Sequence, residues 1–185
     1  MTSAAPVLRA RLKRAETLGD RVMKVNHAGE QGAVCIYRGQ RWIATLIAPS
    51  LTADLAENQA HEERHRAIFA AELARRGVRR CRSFWPCAIG GAALGIVMAL
   101  MGRRAIAATT VAVERVVLRH LAEQRAALQA IDLPAVPAID DIAREEQAHH
   151  DASLQALGRA SGPLVVLMAI VSASTEAVIW LGMRL

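Results

Sequence analysis

Aromatic residues make up only 3% of this 185-residue chain: three Trp, two Phe and one Tyr. So small a set argues against a surface that stacks unpaired bases, and the formal charge of +6 is therefore not expected to serve nucleic acid. Cysteine is equally sparse. Cys35, Cys81 and Cys87 form no Cys-x-x-Cys pair, and an odd count does not build a disulfide framework, which fits a reducing compartment. No stretch alternates apolar and polar residues long enough to read as a strand. No segment is of low complexity. No dinucleotide fingerprint is present either, because Gly90-Gly91-Ala92-Ala93-Leu94-Gly95 lacks the Gly-x-Gly start and follows no strand. The first apolar run lies far from the N-terminus, so no signal peptide is expected. Residues 1–15 are rich in arginine and hold no acid; residues 1–18 are expected to form a flexible basic arm.

What is present is aliphatic. Hydrophobic residues reach 53%, mean hydropathy is +0.21 and the pI is about 10.2. That balance suits close-packed helices in a single domain over residues 19–185, and it favours an anionic membrane surface as the basic chain's partner. Helical patterning predicts a first helix from about Asp20 to Ile47, broken by Pro49-Ser50. A second, with Ser50 or Thr52 as cap, runs to about Gly77. A basic link follows, then the uncharged run Phe84–Met101, closed by Arg103-Arg104. The pattern resumes to about Ile131, and Pro134 and Pro137 mark a connection. A further helix with Asp140 or Asp141 in its first turn ends near Gly158, and Gly162-Pro163 opens a last apolar segment. Long helices with short breaks predict an all-α antiparallel bundle.

Two Glu-x-x-His motifs occur, Glu62 with His65 and Glu146 with His149. Three residues apart on a helix, each carboxylate and imidazole can reach one point in space. Glu30 lies 32 residues before Glu62, and Glu114 lies 32 residues before Glu146. The equal offsets read as a duplicated helical hairpin. One Glu from each of two helices and a Glu-x-x-His from each of two others is the ligand set of ferritin-like di-iron and di-manganese bundles. Four carboxylates offset the charge of two divalent ions, and carboxylate with imidazole suits iron. Glu114 is the most telling member. Its helical neighbours Thr110, Val111, Val117 and Leu118 leave a lone carboxylate costly to bury unless a metal meets it.

Other polar residues read differently. Glu57, Glu63, Glu72, Glu123 and Glu145 are expected on solvated helix faces; Glu145 is also four residues before His149, but the repeat selects Glu146. His27, Tyr37, His120 and His150 are candidates for supporting the ligands from behind. Phe84–Met101 is long enough to be weighed as a span, yet it must lead directly to Glu114 in the bundle, so a buried or interface-lying helix is expected. With Arg75, Arg76, Arg79, Arg80, Arg82, Arg103 and Arg104, the apolar segments read as monotopic attachment to anionic lipid. A solvated basic linker beside ordinary core helices is the plainer alternative.

The chain resembles the demethoxyubiquinone hydroxylase family of ubiquinone biosynthesis over about residues 20–185. Val25-Asn26-His27-Ala28-Gly29-Glu30, Ile36-Tyr37-Arg38-Gly39-Gln40, Val111-Ala112-Val113-Glu114, Glu145-Glu146-Gln147-Ala148-His149-His150-Asp151 and Ile179-Trp180-Leu181 carry the resemblance. It implies a ferritin-like four-helix bundle with added apolar helices. It also implies six iron ligands: Glu30, Glu62 and His65 mainly on one iron, Glu114, Glu146 and His149 mainly on the other, with Glu62 and Glu146 as bridges. The implied activity is hydroxylation of a polyprenylated methoxy-benzoquinone by O2, with electrons from a nicotinamide donor or a reductase. The implied setting is the cytoplasmic face of a bacterial inner membrane, or the matrix side of the mitochondrial one. Other ubiquinone-biosynthesis proteins are implied partners, and a homo-oligomer is compatible. Two positions depart from the family pattern: Glu176 stands where a basic residue is expected, and Leu121 where some relatives have Tyr. Two other readings share part of this pattern. A ferritin- or rubrerythrin-like protein handling iron or peroxide would share the ligands but not the apolar segments. A non-enzymatic membrane-bound carrier of quinone or lipid would leave the four carboxylates unexplained.

Overall fold

Helix boundaries follow the local chemistry of the chain. The structure, a computed structural model, describes residues 10–160 and 162–185; most of the expected basic arm, residues 1–9, lies outside them. Helix α1 runs Leu18–Ile47. Its cap is Thr17, whose hydroxyl accepts from the Asp20 amide, while the Asp20 carboxylate accepts from the Thr17 amide. Asp20 is thus the third residue of a capping box rather than the start of the helix. A single 3-10 turn, Pro49–Leu51, leads into α2, Thr52–Arg75. Neither Ser50 nor Thr52 supplies a side-chain cap. Gly77, at φ +64°, turns the chain out of α2.

Helices α3 (Phe84–Leu100) and α4 (Arg103–Leu128) are joined at Gly102, φ +94°. A second 3-10 turn, Leu133–Ala135, precedes α5, Val136–Leu157, which places Asp140 and Asp141 one turn inside the helix. The last helix, α6, spans Pro163–Gly182. Among the described residues there is no strand, and the fold is all-α.

Two hairpins, α1–α2 and α4–α5, pack closely within themselves and face each other across a wider gap. At one end of the bundle that gap is filled by an apolar core that includes Met23, Phe69, Leu73, Leu128, Ile139 and Ile142. Full burial of each such side chain contributes roughly 1.5–3 kcal/mol. The remaining two helices are added on the outside: α3 lies along α1, and α6 lies along α4.

Glycines decide how close α3 comes. A Cβ on Gly91 would overlap the carbonyl oxygen of Gly32, and one on Gly95 would overlap that of Ile36. Gly39 faces the Ala92 carbonyl, where a Cβ would stand 2.7 Å from the oxygen. The glycine run that fails as a nucleotide loop is therefore a helix-packing surface.

Both α3 and α6 leave apolar side chains in the open, Trp85, Ile89, Val97 and Leu100 on one and Val166, Ile170, Val178 and Trp180 on the other. Helix α6, with a mean hydropathy of 2.1 over its most apolar 18-residue window, is the one described helix long and apolar enough to cross a membrane by those measures. Residues 10–17 do not trail free of the bundle. The Arg11 amide donates to the Met183 carbonyl, and Glu16 holds Arg21 at 2.6 Å and Lys24 at 2.8 Å. The basic link is likewise partly consumed by structure. Arg76 is nearly buried and pairs with Asp132, Asp20 and Glu72, so it fastens α2 to α1 and to the turn before α5.

Candidate metal centre

Glu30, Glu62, Glu114 and Glu146 come from α1, α2, α4 and α5 and meet in the gap between the hairpins. Each is at most 6% exposed, His65 is fully buried, and His149 is 9% exposed. Donor atoms from Glu30, Glu62, His65 and Glu146 all lie within 4.8 Å of one another.

The two Nδ1 atoms face inward. His65 Nδ1 stands 2.9 Å from Glu146 Oε1, 3.7 Å from Glu62 Oε2 and 3.9 Å from Glu30 Oε2. His149 Nδ1 is 3.6 Å from both Glu62 Oε1 and Glu146 Oε2. Glu62 and Glu146 thus lie between the two histidines, each offering one oxygen to either side.

Charges this dense need compensation. Burial, reinforced by the charges of Glu146 and Glu62, pushes the carboxyls of Glu30 and Glu114 well above the usual range. Burial would lower both histidines, but their pairing with Glu146 and Glu62 dominates, raising His65 to about 11 and His149 to about 9. Burial acts to raise Glu146, yet the contacts with His149 and His65 hold it at about 2. Protons therefore supply the positive charge that two metal ions would bring. Despite the short distances, Glu62 Oε1, Glu146 Oε2, His65 Nδ1 and His149 Nδ1 are buried without a hydrogen bond of acceptable geometry among the described residues. Orphaned donors from hard carboxylates and imidazoles, converging from four helices, fit a pair of iron-class ions.

The outward Nε2 atoms are held by residues that sequence reasoning placed elsewhere or passed over. His65 Nε2 lies 3.0 Å from Glu145 Oε2, and Arg64 holds that same oxygen at 3.0 Å. His149 Nε2 lies 2.6 Å from His61 Nδ1. Their signal was in the repeat: His61 and Glu145 each immediately precede the glutamate of a Glu-x-x-His motif. Glu145 is half-exposed, as a solvated face requires, but its carboxylate turns back to the site.

The other candidates take separate places. Tyr37 packs beside the centre with its hydroxyl buried and without a hydrogen-bond partner among the described residues, and burial, then the charges of Glu62 and Glu114, drive its pKa up. His27 stacks on Phe84 at 5.1 Å. His120 Nε2 meets Glu176 at 2.9 Å, and Glu176 also pairs with Arg119. His150 turns to Asp151 at 3.0 Å.

From the carboxylates a cavity of about 590 Å³ leads outward between α3 and α6. Its walls are almost wholly aliphatic, including Ile36, Leu94, Val113, Val117, Val171 and Ile179. The polar interruptions include His120 and the reciprocal amide pair Asn26–Gln124, at 2.8 and 3.0 Å.

The family description "Ubiquinone biosynthesis protein COQ7" matches residues 17–182. The chain is 34% identical over 166 residues to the 3-demethoxyubiquinol 3-hydroxylase of Rhodospirillum rubrum, covering 89% of this chain and 77% of the relative. It is 30% identical over 172 residues to the mitochondrial NADPH-dependent 3-demethoxyubiquinone 3-hydroxylase of Bos taurus, covering 90% and 77%. The Dictyostelium discoideum protein of the same name is 32% identical over 177 residues, with 89% and 76% covered. With four carboxylates at the foot of an apolar cavity and two histidines beside them, the chain belongs to the COQ7 family of ubiquinone biosynthesis proteins.

Proposed function

We propose that the chain hydroxylates the ring of a polyprenylated demethoxyubiquinone or demethoxyubiquinol, with O2 as co-substrate and two iron ions as cofactor. One observation carries this reading: the four buried glutamates form the floor of a cavity whose walls are aliphatic and which opens between two apolar helices. A storage or peroxide-handling site has no use for such a wall, and a simple carrier has no use for such a floor.

Glu30, Glu62 and His65 would hold one iron, and Glu114, Glu146 and His149 the other, with Glu62 and Glu146 shared. When bound, the ions would supply reductive activation of O2. The rest of the task falls to the protein. The aliphatic wall keeps water from the reacting ring and lies against the prenyl tail. His120 is pushed toward its neutral form mainly by burial. Its Nε2–H then donates to Glu176, which fixes the ring as part of the cavity wall. Electrons come from a nicotinamide donor or a reductase.

The prenyl tail requires a membrane. The start of α3 and the end of α6 lie together, with a Cβ on Gly182 standing 3.6 Å from Ser83 Oγ. At that shared end Arg80 lies over Trp85 at 5.1 Å and Arg184 over Trp180 at 3.9 Å. Paired arginine and tryptophan beside exposed aliphatic faces suit the headgroup region of an anionic leaflet. The chain would thus sit on one face of the membrane, cytoplasmic in a bacterium or matrix-side in a mitochondrion, beside other ubiquinone-biosynthesis proteins.

The test is direct. The chain is loaded with Fe(II) without oxygen, then given a reductant, a short-tailed demethoxyubiquinone and O2. The expected product is the singly hydroxylated ring, absent when Glu114 is replaced by Ala. Iron uptake without ring hydroxylation, together with no build-up of the demethoxy compound in cells lacking the gene, would overturn the reading.

A further inference from the structure

The duplicated hairpins build two half-sites that look alike from the inside and differ from the outside. Each metal-facing Nδ1 leaves an Nε2–H pointing away from the centre. Each Nε2 is met by the residue immediately before the Glu-x-x-His glutamate of the opposite hairpin. For His65 that residue is Glu145, a carboxylate steadied by Arg64. For His149 it is His61. The His61 and His149 rings are within 15° of coplanar, with centroids 4.9 Å apart. The two nitrogens, at 2.6 Å, account for the centroid separation apart from about one ring radius on each side, so the contact runs in line rather than face to face. His61 Nδ1 accepts, which leaves its own proton on Nε2.

The acceptors are chemically unequal. A carboxylate behind a ligating imidazole draws the Nε2 proton toward itself and makes Nδ1 a stronger donor to a metal. A neutral imidazole does so far less. We infer that the two metal positions of this centre are inequivalent, the one on His65 binding more tightly than the one on His149, and that Glu145 and His61 are the positioning residues that set the difference. This inference rests on the di-iron reading above.

The experiment uses the whole chain with Co(II) and, separately, with 57Fe(II). Co(II) binding is followed by competition against a chromophoric chelator, and iron by Mössbauer spectroscopy. The unaltered chain should bind two ions in two steps at least about tenfold apart, and its iron should give two quadrupole doublets. Glu145→Gln keeps a hydrogen bond but removes the charge, so it should weaken the tighter step about tenfold. His61→Ala should weaken the looser step by about 10–100-fold. His61→Gln, which restores an acceptor, should recover most of that loss. His61→Glu should draw the two steps to within about threefold and bring the two doublets together. A merely structural role for His61 would not produce rescue by Gln or merging by Glu. Two equal steps in the unaltered chain, or a looser step indifferent to His61→Ala, would overturn the asymmetry while leaving the di-iron reading intact. Uptake of fewer than two ions would overturn both.

Discussion

Glu146 Oε1 stands 2.9 Å from His65 Nδ1, although the two residues belong to opposite hairpins. In this pairing a histidine proton occupies the place of a metal's charge. Raised pKa values at His65 and His149 contribute stability that is complete below the ordinary value of 6.5 and is lost as pH climbs through about 9 and about 11. The raised carboxyls of Glu30 and Glu114 act in the same sense, stabilising below the ordinary 4.5 and weakening the metal-free fold above it. Metal binding needs all four groups deprotonated, so it runs the other way. The melting temperature of the metal-free chain should fall between pH 5 and 9, and the increment added by Fe(II) or Mn(II) should grow over that range. At pH 7 uptake of the ions should release protons into weakly buffered solution, including those held on His65 and His149. An increment that shrinks as pH rises would contradict the account.

Glu114→Ala removes a carboxylate from one half-site only. Iron content after anaerobic loading should drop from about two to about one per chain, or lower if the second ion depends on the first. A metal-to-protein ratio that stays at two would exclude Glu114 as a ligand.

The α1–α3 approach is a backbone contact, and backbone cannot step aside. Gly91→Val places a branched side chain against the Gly32 carbonyl. The cost should be about 3 kcal/mol, the upper part of the overpacking range, read from urea denaturation. Gly90→Ala, one residue earlier with open space around its Cβ position, serves as the control and should change stability by less than about 1 kcal/mol.

Attachment through the apolar helices should depend on Trp85 and Trp180. Replacing both by Ser should weaken binding to vesicles containing anionic lipid by about thirtyfold or more, since each ring removed from the interface is worth roughly 1–2 kcal/mol. Binding of the unaltered chain should also weaken with salt, because arginines at that end contribute by charge. Equal binding by both chains in sedimentation assays would place the contact elsewhere.

Much of the centre was legible before any fold was known. Helix periodicity and Pro and Gly breaks marked the helical segments, because those signals are local to the backbone; that Phe84–Leu100 stands as a helix apart from both hairpins is a tertiary result. The equal 32-residue offsets marked Glu30, Glu62, His65, Glu114, Glu146 and His149 as one set, because a duplicated hairpin repeats its spacing. Which face of a half-exposed residue matters is not a local property. Glu145 and Arg76 carry the signature of solvated helix surface, and only the opposing hairpin turns one toward His65 and buries the other among Asp20, Glu72 and Asp132.

The sequence by itself determined the helical segments, the candidate ligand set and its twofold repeat, since each follows from residue spacing along single helices. The tertiary structure decided the rest: which residues back the histidines, that the glycine run packs α3 onto α1, and that the carboxylates open into an aliphatic cavity between α3 and α6. Those outcomes depend on how separate helices meet, and the meeting is set by side-chain shape and backbone proximity across the gap rather than by spacing along any one helix.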